Sequence, residues 1–202
     1  GQMATAITTF LFNIILIRLA GSDGVAAMTI LFYGQFLFNA FYLGFAIGIA
    51  PVVGYRYGAG NWVELRKIYK ISFLFTIVSS VVMTAASIVL ATPIVSVFTT
   101  EPGTFALADT GFKIFAVNFL FSGVNLVSSG FFTALSNGKA SAGISFSRTC
   151  LFMVGFLLIL PQIFGVAGAW AAIPAAELAT LFVCIGLHRY YFWKPGEQNY
   201  IV

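Results

Sequence analysis

Long apolar segments separated by short polar ones make up almost the whole chain. The apolar segments are residues 3–20, 25–57, 65–98, 104–135, 140–164 and 166–192, with ends placed to within a few residues. A helical crossing of a bilayer needs roughly 20 such residues. The segments lack the period-two alternation of membrane β-strands, and lipid offers no partner for unpaired backbone groups. The pattern therefore predicts an all-α integral membrane fold of six transmembrane helices, with one six-helix domain over 1–192 and a polar tail over 193–202.

Composition agrees with a lipid environment. Hydrophobic residues make up 60% of the chain and charged residues 8%, and the mean hydropathy is +0.99. Such a chain has too few polar groups to cover a globular surface in water. The lipid bilayer is therefore its expected solvent and first partner.

The basic residues are distributed unequally between the two sides of the predicted membrane. Of the ten, only Arg18 and Lys113 fall on the side away from the termini. The other eight are Arg56, Arg66, Lys67, Lys70, Lys139, Arg148, Arg189 and Lys194. Cytoplasmic loops carry the excess of positive charge, so we expect a multi-pass protein of the cell (inner) membrane with both ends of this segment cytoplasmic. The net charge of +4 reflects this asymmetry, and no basic stripe with interleaved aromatics indicates a nucleic-acid partner.

The chain starts inside the first predicted helix. Its opening GQMATAITTF has no initiator Met and no charged region before the apolar residues. We therefore expect this sequence to be a fragment of a longer chain.

The second apolar segment is interrupted by Gly and Pro, in YLGFAIGIAPVVGYRYG. Pro51 removes a backbone hydrogen bond, and the freed carbonyl is tolerable only against protein or water. The two GxxxG pairs in this segment favour close helix packing. Two interpretations therefore stay open, a packing surface and a functional hinge at Pro51 and Gly54.

Polar residues recur at helical spacing on two segments. The first set is Asn118, Ser122, Asn125 and Ser129, and the second is Gln35, Asn39 and Tyr42. Each set falls on one face of a helix and would be costly against lipid. Hydrogen bonding between helices accounts for any one of them equally well. Taken together they predict a cavity wall whose amides, hydroxyls and neighbouring Phe rings suit a broad amphipathic solute.

Glu177 is the acidic residue deepest in a predicted span. It lies about 15 Å into the membrane from Val166, where a carboxylate must be protonated, paired or reached by water. We expect a proton or cation site there, and a hydrogen-bonded structural acid is the alternative. Asp109 is expected to pair with Lys113 one turn later, and His188 to reach the interface.

Enzyme chemistry has no support in the sequence. It contains no nucleophile and base pair, no metal-ligand cluster and no phosphate loop, and the two cysteines match no metal or redox spacing. We therefore expect neither an enzyme nor a bound cofactor or metal.

Three segments together resemble the MATE (multidrug and toxic compound extrusion) family of exporters. GIAPVVGYRYGAGNWVELRKIYKIS resembles the connection between that family's eighth and ninth helices. ALSNGKASAGISFSRT and ILPQIFGVAGAWAAIPAAELAT resemble its eleventh and twelfth helices. The likeness is greatest to the bacterial branch that includes MepA- and DinF-type pumps, and it covers the chain as the second six of twelve helices.

The resemblance implies the C-terminal lobe of a two-lobed antiporter, whose N-terminal six-helix lobe would be its partner. It implies export of drugs or other amphipathic, often cationic solutes by alternating access, with Na⁺ or H⁺ as the coupling ion. NorM-like members bind the cation with acids in the seventh and tenth helices. Here Asn125 occupies the tenth-helix position and the first span has no acid, so that cation site is not expected. Glu177 matches an Asp or Glu often found in the twelfth helix.

Two further functions remain as alternatives. A lipid-linked saccharide flippase of the same superfamily would need several Arg or Lys in its cavity for a diphosphate, and these spans contain almost none. A non-transporting membrane scaffold subunit would be favoured by unbroken helices without polar stripes.

Overall fold

The computed structural model describes residues 2–192, so the predicted tail 193–202 lies outside the described residues. Every element in the described part is helical. In chain order these are α1 Gln2–Gly58, α2 Trp62–Val89, α3 Ala91–Phe98, α4 Pro102–Ala116, α5 Phe119–Ala134, α6 Gly138–Phe146, a π-helix Ser147–Phe152 and α7 Met153–Phe192. The predicted all-α fold is confirmed.

The longest element, α1, is two helices joined by a sharp reversal at Gly21. That residue has φ 63° and ψ −151°, a combination essentially reserved for glycine. The rings of Phe12 and Phe32 lie 5.6 Å apart, whereas 20 residues of straight helix would separate them by about 30 Å. The two arms of α1, residues 2–20 and 22–58, therefore lie side by side.

Helix α7 reverses in the same way at Gly165, where φ is 58° and ψ is −135°. The backbone of Gly168 packs directly on that of Leu160 and Pro161, with no room for a side chain. Straight helix would hold Leu160 and Gly168 about 12 Å apart. The first arm of α7 (153–164) continues the run of α6 and the π-helix, and the second arm (166–192) returns beside it.

The described residues therefore form six helical runs. Three helical stretches are long and apolar enough to span a membrane, or four when α4 and α5, bent by 55° where they meet, count as one. Two of the three reverse at Gly21 and Gly165 and so supply two runs each. This arrangement agrees with six transmembrane helices in one lobe.

Apolar side chains fill two buried clusters along the bundle. One joins both arms of α1 to α4 and α7, around Phe12, Phe112, Phe115 and Trp170. The other joins α5 to the ends of α1, α2, α6 and α7. Many large apolar side chains face outward instead, such as Leu74, Val81 and Val97, as lipid contact requires.

The region of the predicted hinge is regular. Helix α1 continues through Pro51, and its one residue with non-helical angles is Gly21. A Cβ placed on Gly54 would lie 3.5 Å from the carbonyl oxygen of Ala134. That is an ordinary van der Waals distance, so the contact does not require a glycine, and a hinge at Pro51 and Gly54 stays a prediction.

Candidate functional site

An ion pair joins the last two helical runs, far from the ends of both. Nε of Arg148 donates to Oε1 of Glu177 at 2.6 Å, with 18% of the Arg148 side chain and 1% of the Glu177 side chain exposed. Arg148 lies on the π-helix, about 15 Å from the start of α6. Glu177 lies on the second arm of α7, about 18 Å from the reversal at Gly165. Opposite charges within contact distance offset the cost of placing each one in the membrane.

Asn125 completes this cluster from α5. Its Nδ2 donates to Oε2 of Glu177 at 2.7 Å and to the backbone oxygen of Glu177 at 2.8 Å. Each carboxylate oxygen of Glu177 therefore has one close donor. The Oδ1 atom of Asn125 is buried and has no hydrogen-bond partner among the described residues. We call Asn125, Arg148 and Glu177 the charge cluster.

The first of two cavities next to the charge cluster has a volume of about 450 Å³. Both arms of α1, the π-helix and α7 surround it. Gln35, Asn39 and Thr9 form part of its polar wall, and Phe32 and Phe36 part of its apolar wall. Arg148 and Glu177 close one side of it. We call it the first cavity.

The second cavity has a volume of about 360 Å³ and lies between the second arm of α1, α5, α6 and the π-helix. Hydroxyl groups of Ser129, Thr133 and Ser145 line it together with Asn125 and Arg148. Ser129 and Ser145 are within 3.2 Å of each other, Oγ to Oγ. Arg148 lines both cavities, so the charge cluster lies on the wall between them.

The structure divides the predicted cavity residues into two groups. Gln35 and Asn39 line the first cavity and Asn125 the second. Ser122 is fully buried and donates to Oδ1 of Asn39 at 3.3 Å. It therefore does not line a cavity itself but helps to position Asn39, which does. Ser129, which belongs to the same helical stripe as Asn125, also lines the second cavity.

The other two residues stabilise the bend between α4 and α5. Nδ2 of Asn118 donates to the Phe115 oxygen at 2.7 Å, and the hydroxyl of Tyr42 donates to the Phe119 oxygen at 3.3 Å. Both side chains are fully buried. Their polar atoms bond backbone carbonyls beside the 55° bend, as buried polar groups require.

Two basic side chains lie elsewhere than the sequence pattern predicted. Arg148 is not in a cytoplasmic loop but inside a helical run, since Glu177 supplies a buried counter-charge. The count of basic residues then becomes seven against two. His188 does not reach the interface but is 7% exposed, because its Nε2 contacts Oγ of Ser128 at 2.8 Å and its ring stacks on Phe132. The predicted pair of Asp109 and Lys113 is present at 2.7 Å.

The depth of Arg148 could have been found from the sequence. It stands ten residues beyond Gly138 in an apolar run that continues to residue 164, so neither end of the helix is close. The count of residues shows the depth, but the partner depends on how α6 and α7 pack. The π-helix around Arg148 had no sequence signal, although such turns concentrate at functional sites.

No group of three metal-ligating side chains occurs within residues 2–192.

Comparison with known proteins shows which family this architecture belongs to. The MatE family model matches residues 1–159, whereas no curated protein sequence matches the chain. Among solved structures, an outward-facing multidrug resistance MATE family transporter of the MOP superfamily superposes with a TM-score of 0.86 at 22% identity, covering 94% of this chain and 43% of that one. A point mutant of the Vibrio cholerae MATE transporter VcmN gives 0.85 at 18% identity, covering 100% and 45%.

A third structure, a MOP superfamily transporter from Pyrococcus furiosus, gives a TM-score of 0.85 at 21% identity over 94% of this chain and 43% of that one. Its binding pocket is described as having reverse polarity, suggesting a different function for that protein. The chain thus spans less than half the length of these structures and has the fold of one of their lobes. The narrower likeness to MepA- and DinF-type pumps stays a prediction. The chain belongs to the MatE family, whose members are multi-pass membrane transporters and not enzymes.

Proposed function

We propose that this chain is one lobe of a cation-coupled antiporter that exports drugs or other amphipathic, often cationic organic solutes by alternating access. The observation that carries the proposal is the Arg148–Glu177 pair, which lies on the wall between two cavities and far from the helix ends. Ionisable residues at this depth in membrane proteins mark pathways for solutes and ions. Family membership gives the transport class, and the missing second lobe would close the cavities from the other side.

The composition of the cavity walls supports an amphipathic solute. Phe32 and Phe36 offer apolar surface beside the amides of Gln35 and Asn39 in the first cavity. A volume of about 450 Å³ falls within the range of sites for drug-sized molecules. A small ion alone would not need so broad an apolar wall.

Glu177 is the group we propose for coupling to Na⁺ or H⁺. Both of its carboxylate oxygens already have donors, Arg148 Nε and Asn125 Nδ2. An arriving proton or cation therefore competes with Arg148 for the carboxylate. Rocking of the lobes, with bending near Pro51 and Gly54, would then expose the cavities to each side in turn, in a cell membrane with both ends of this segment cytoplasmic.

The alternatives from the sequence fit the cavities less well. A flippase for a lipid-linked diphosphate needs several free cationic groups, whereas Arg148 is the one basic residue among the described residues lining the cavities, and Glu177 neutralises it. A scaffold subunit would gain nothing from a buried ion pair beside two cavities, because such a pair costs more than apolar packing.

Dye efflux from vesicles containing the intact transporter tests the proposal. We expect export of a cationic dye when a Na⁺ gradient or a proton gradient is imposed separately, and reduced export by Glu177→Gln at unchanged expression. Lys113→Gln is a matched control because its pair with Asp109 is exposed at the surface. Efflux that responds to neither gradient, or full efflux by Glu177→Gln, would contradict the proposed coupling.

A further inference from the structure

The charge cluster has no net charge, whereas Glu177 alone would carry one. Arg148 and Glu177 are the two charged side chains among the described residues lining the first and second cavities. Their charges cancel while they are paired at 2.6 Å. Together the two walls therefore present no net charge to a solute.

Neutralising Glu177 raises the net charge of the cavity walls by one. A proton or Na⁺ on the carboxylate removes the negative member of the pair, and the guanidinium of Arg148 cannot lose its own charge in a protein. The terminal amino groups of Arg148 make no hydrogen bond to the described residues, whose one recorded contact with this side chain is at Nε. Arg148 would then face both cavities as an uncompensated cation.

We infer that Arg148 is the residue that converts cation binding at Glu177 into expulsion of a cationic solute. This inference rests on the proposed function and adds its mechanism of exchange. One proton or Na⁺ arrives at Glu177, the cavity walls change from neutral to positive, and one cationic solute leaves. Like charges brought together at a binding site repel each other. Arg148 is a positioning and charge-presenting residue here and forms no bond with the solute.

Glu177 is the one acidic side chain among the described residues lining the two cavities. On α7 itself the Cys184 thiol lies two turns further on, and the His188 ring lies one turn beyond that, against Ser128 of α5. The π-helix contributes Arg148 and α5 contributes the amide of Asn125. The walls supplied by α1 contain hydroxyls, amides and apolar groups among their described residues. A proton or cation that changes the charge of the walls therefore has Glu177 as its acceptor.

Two probes of equal shape and opposite charge separate electrostatics from fit. Tetraphenylphosphonium is the cation and tetraphenylborate the anion, and equilibrium binding of each is measured with the intact transporter between neutral and acidic pH. The wild-type protein is expected to bind the cation at neutral pH and to lose affinity on acidification. Glu177→Gln fixes the walls in the positive state, so it is expected to bind the cation about tenfold or more weakly and to prefer the anion.

Removing Arg148 as well is the deciding control. The Arg148→Gln, Glu177→Gln double variant has neutral walls and is expected to regain wild-type affinity for the cation, without its pH dependence. Arg148→Lys keeps the charge and is expected to behave like the wild type. If Glu177→Gln does not fold, the double variant alone still tests the inference, because its neutral walls should bind the cation as the wild type does at neutral pH and keep that affinity on acidification.

The outcomes are distinguishable. Unchanged cation binding by Glu177→Gln, or a double variant that binds as weakly as Glu177→Gln, overturns the role of Arg148 while leaving a solute-binding transporter. A double variant that loses affinity for the cation on acidification as the wild type does overturns it too. A wild-type protein that binds neither probe at any pH overturns the proposed function itself.

Discussion

Nε of Arg148 lies 2.6 Å from Oε1 of Glu177, and this contact joins the π-helix to the second arm of α7 across 29 residues of sequence. The reversal at Gly165 makes it geometrically available, since the two arms of α7 return side by side. A charge that would be costly alone in lipid is thereby held against its opposite. The site, the proposed coupling and the fold depend on the same turn.

Asn125 should hold the Glu177 carboxylate in place. We expect Asn125→Ala to lower the free energy of unfolding by about 1–3 kcal/mol, because it removes two hydrogen bonds to Glu177, one of them to a charged group. Thermal or denaturant unfolding of the intact transporter measures this. Asn13→Ala is the matched control because Asn13 is exposed. Equal stability of the two variants would contradict the bonding seen at Asn125.

A side chain at Gly165 should destabilise the reversal of α7. We expect Gly165→Ala to destabilise the fold by about 1–3 kcal/mol, because its backbone angles lie in a region that residues with a Cβ avoid. Space is not the reason, as no atom lies within 4 Å of a Cβ built there. Gly186→Ala is a matched control on the same helix, since it also has open space and regular helical angles. A loss in the control as large as in Gly165→Ala would show that conformation is not the cause.

Gly111 is a second position at which we expect a side chain to destabilise the fold, here because of close packing. A Cβ on this residue would lie 3.0 to 3.2 Å from the indole ring of Trp170, which is itself buried. We expect Gly111→Ala to cost about 1–3 kcal/mol through overpacking, measured by thermal unfolding. Gly143→Ala, which meets nothing within 4 Å and is exposed, should be neutral or slightly stabilising. A neutral result at Gly111 would mean that α4 and α7 pack less closely than described.

The location of His188 can be tested by chemical labelling. In a variant with Cys150 and Cys184 replaced by Ala, we expect His188→Cys to react with a membrane-impermeant maleimide much more slowly than Arg189→Cys. The reason is that His188 is 7% exposed between Ser128 and Phe132, whereas Arg189 is exposed. Equal labelling rates would restore the interfacial position that the sequence predicted.

Much of the fold was predictable because apolar length and backbone satisfaction leave few choices in lipid. Six helical runs and the all-helical class depend on these local properties. The reversal at Gly21 was indicated by the polar break GSDG, and that at Gly165 by a glycine between two apolar runs. In both cases a local residue type carried the signal.

The candidate site was predictable only in part. Helical spacing located Gln35, Asn39 and Asn125, because a stripe of amides must avoid lipid. The same spacing could not separate cavity residues from Asn118 and Tyr42, whose polar atoms satisfy backbone carbonyls at a bend. Glu177 was evident from its depth, but its partner Arg148 depends on tertiary packing and on a π-helix with no sequence signal.

A double-mutant cycle over Arg148 and Glu177 tests the ion pair most directly. The intact transporter, Arg148→Gln, Glu177→Gln and the double variant are compared by their free energies of unfolding. Arg148→Gln leaves the buried Glu177 without its partner and is expected to lose about 3–5 kcal/mol. Glu177→Gln leaves the partly exposed Arg148 and is expected to lose less, and the double variant should lose much less than the sum of the two. Losses that simply add would contradict the pair on which the proposed coupling depends.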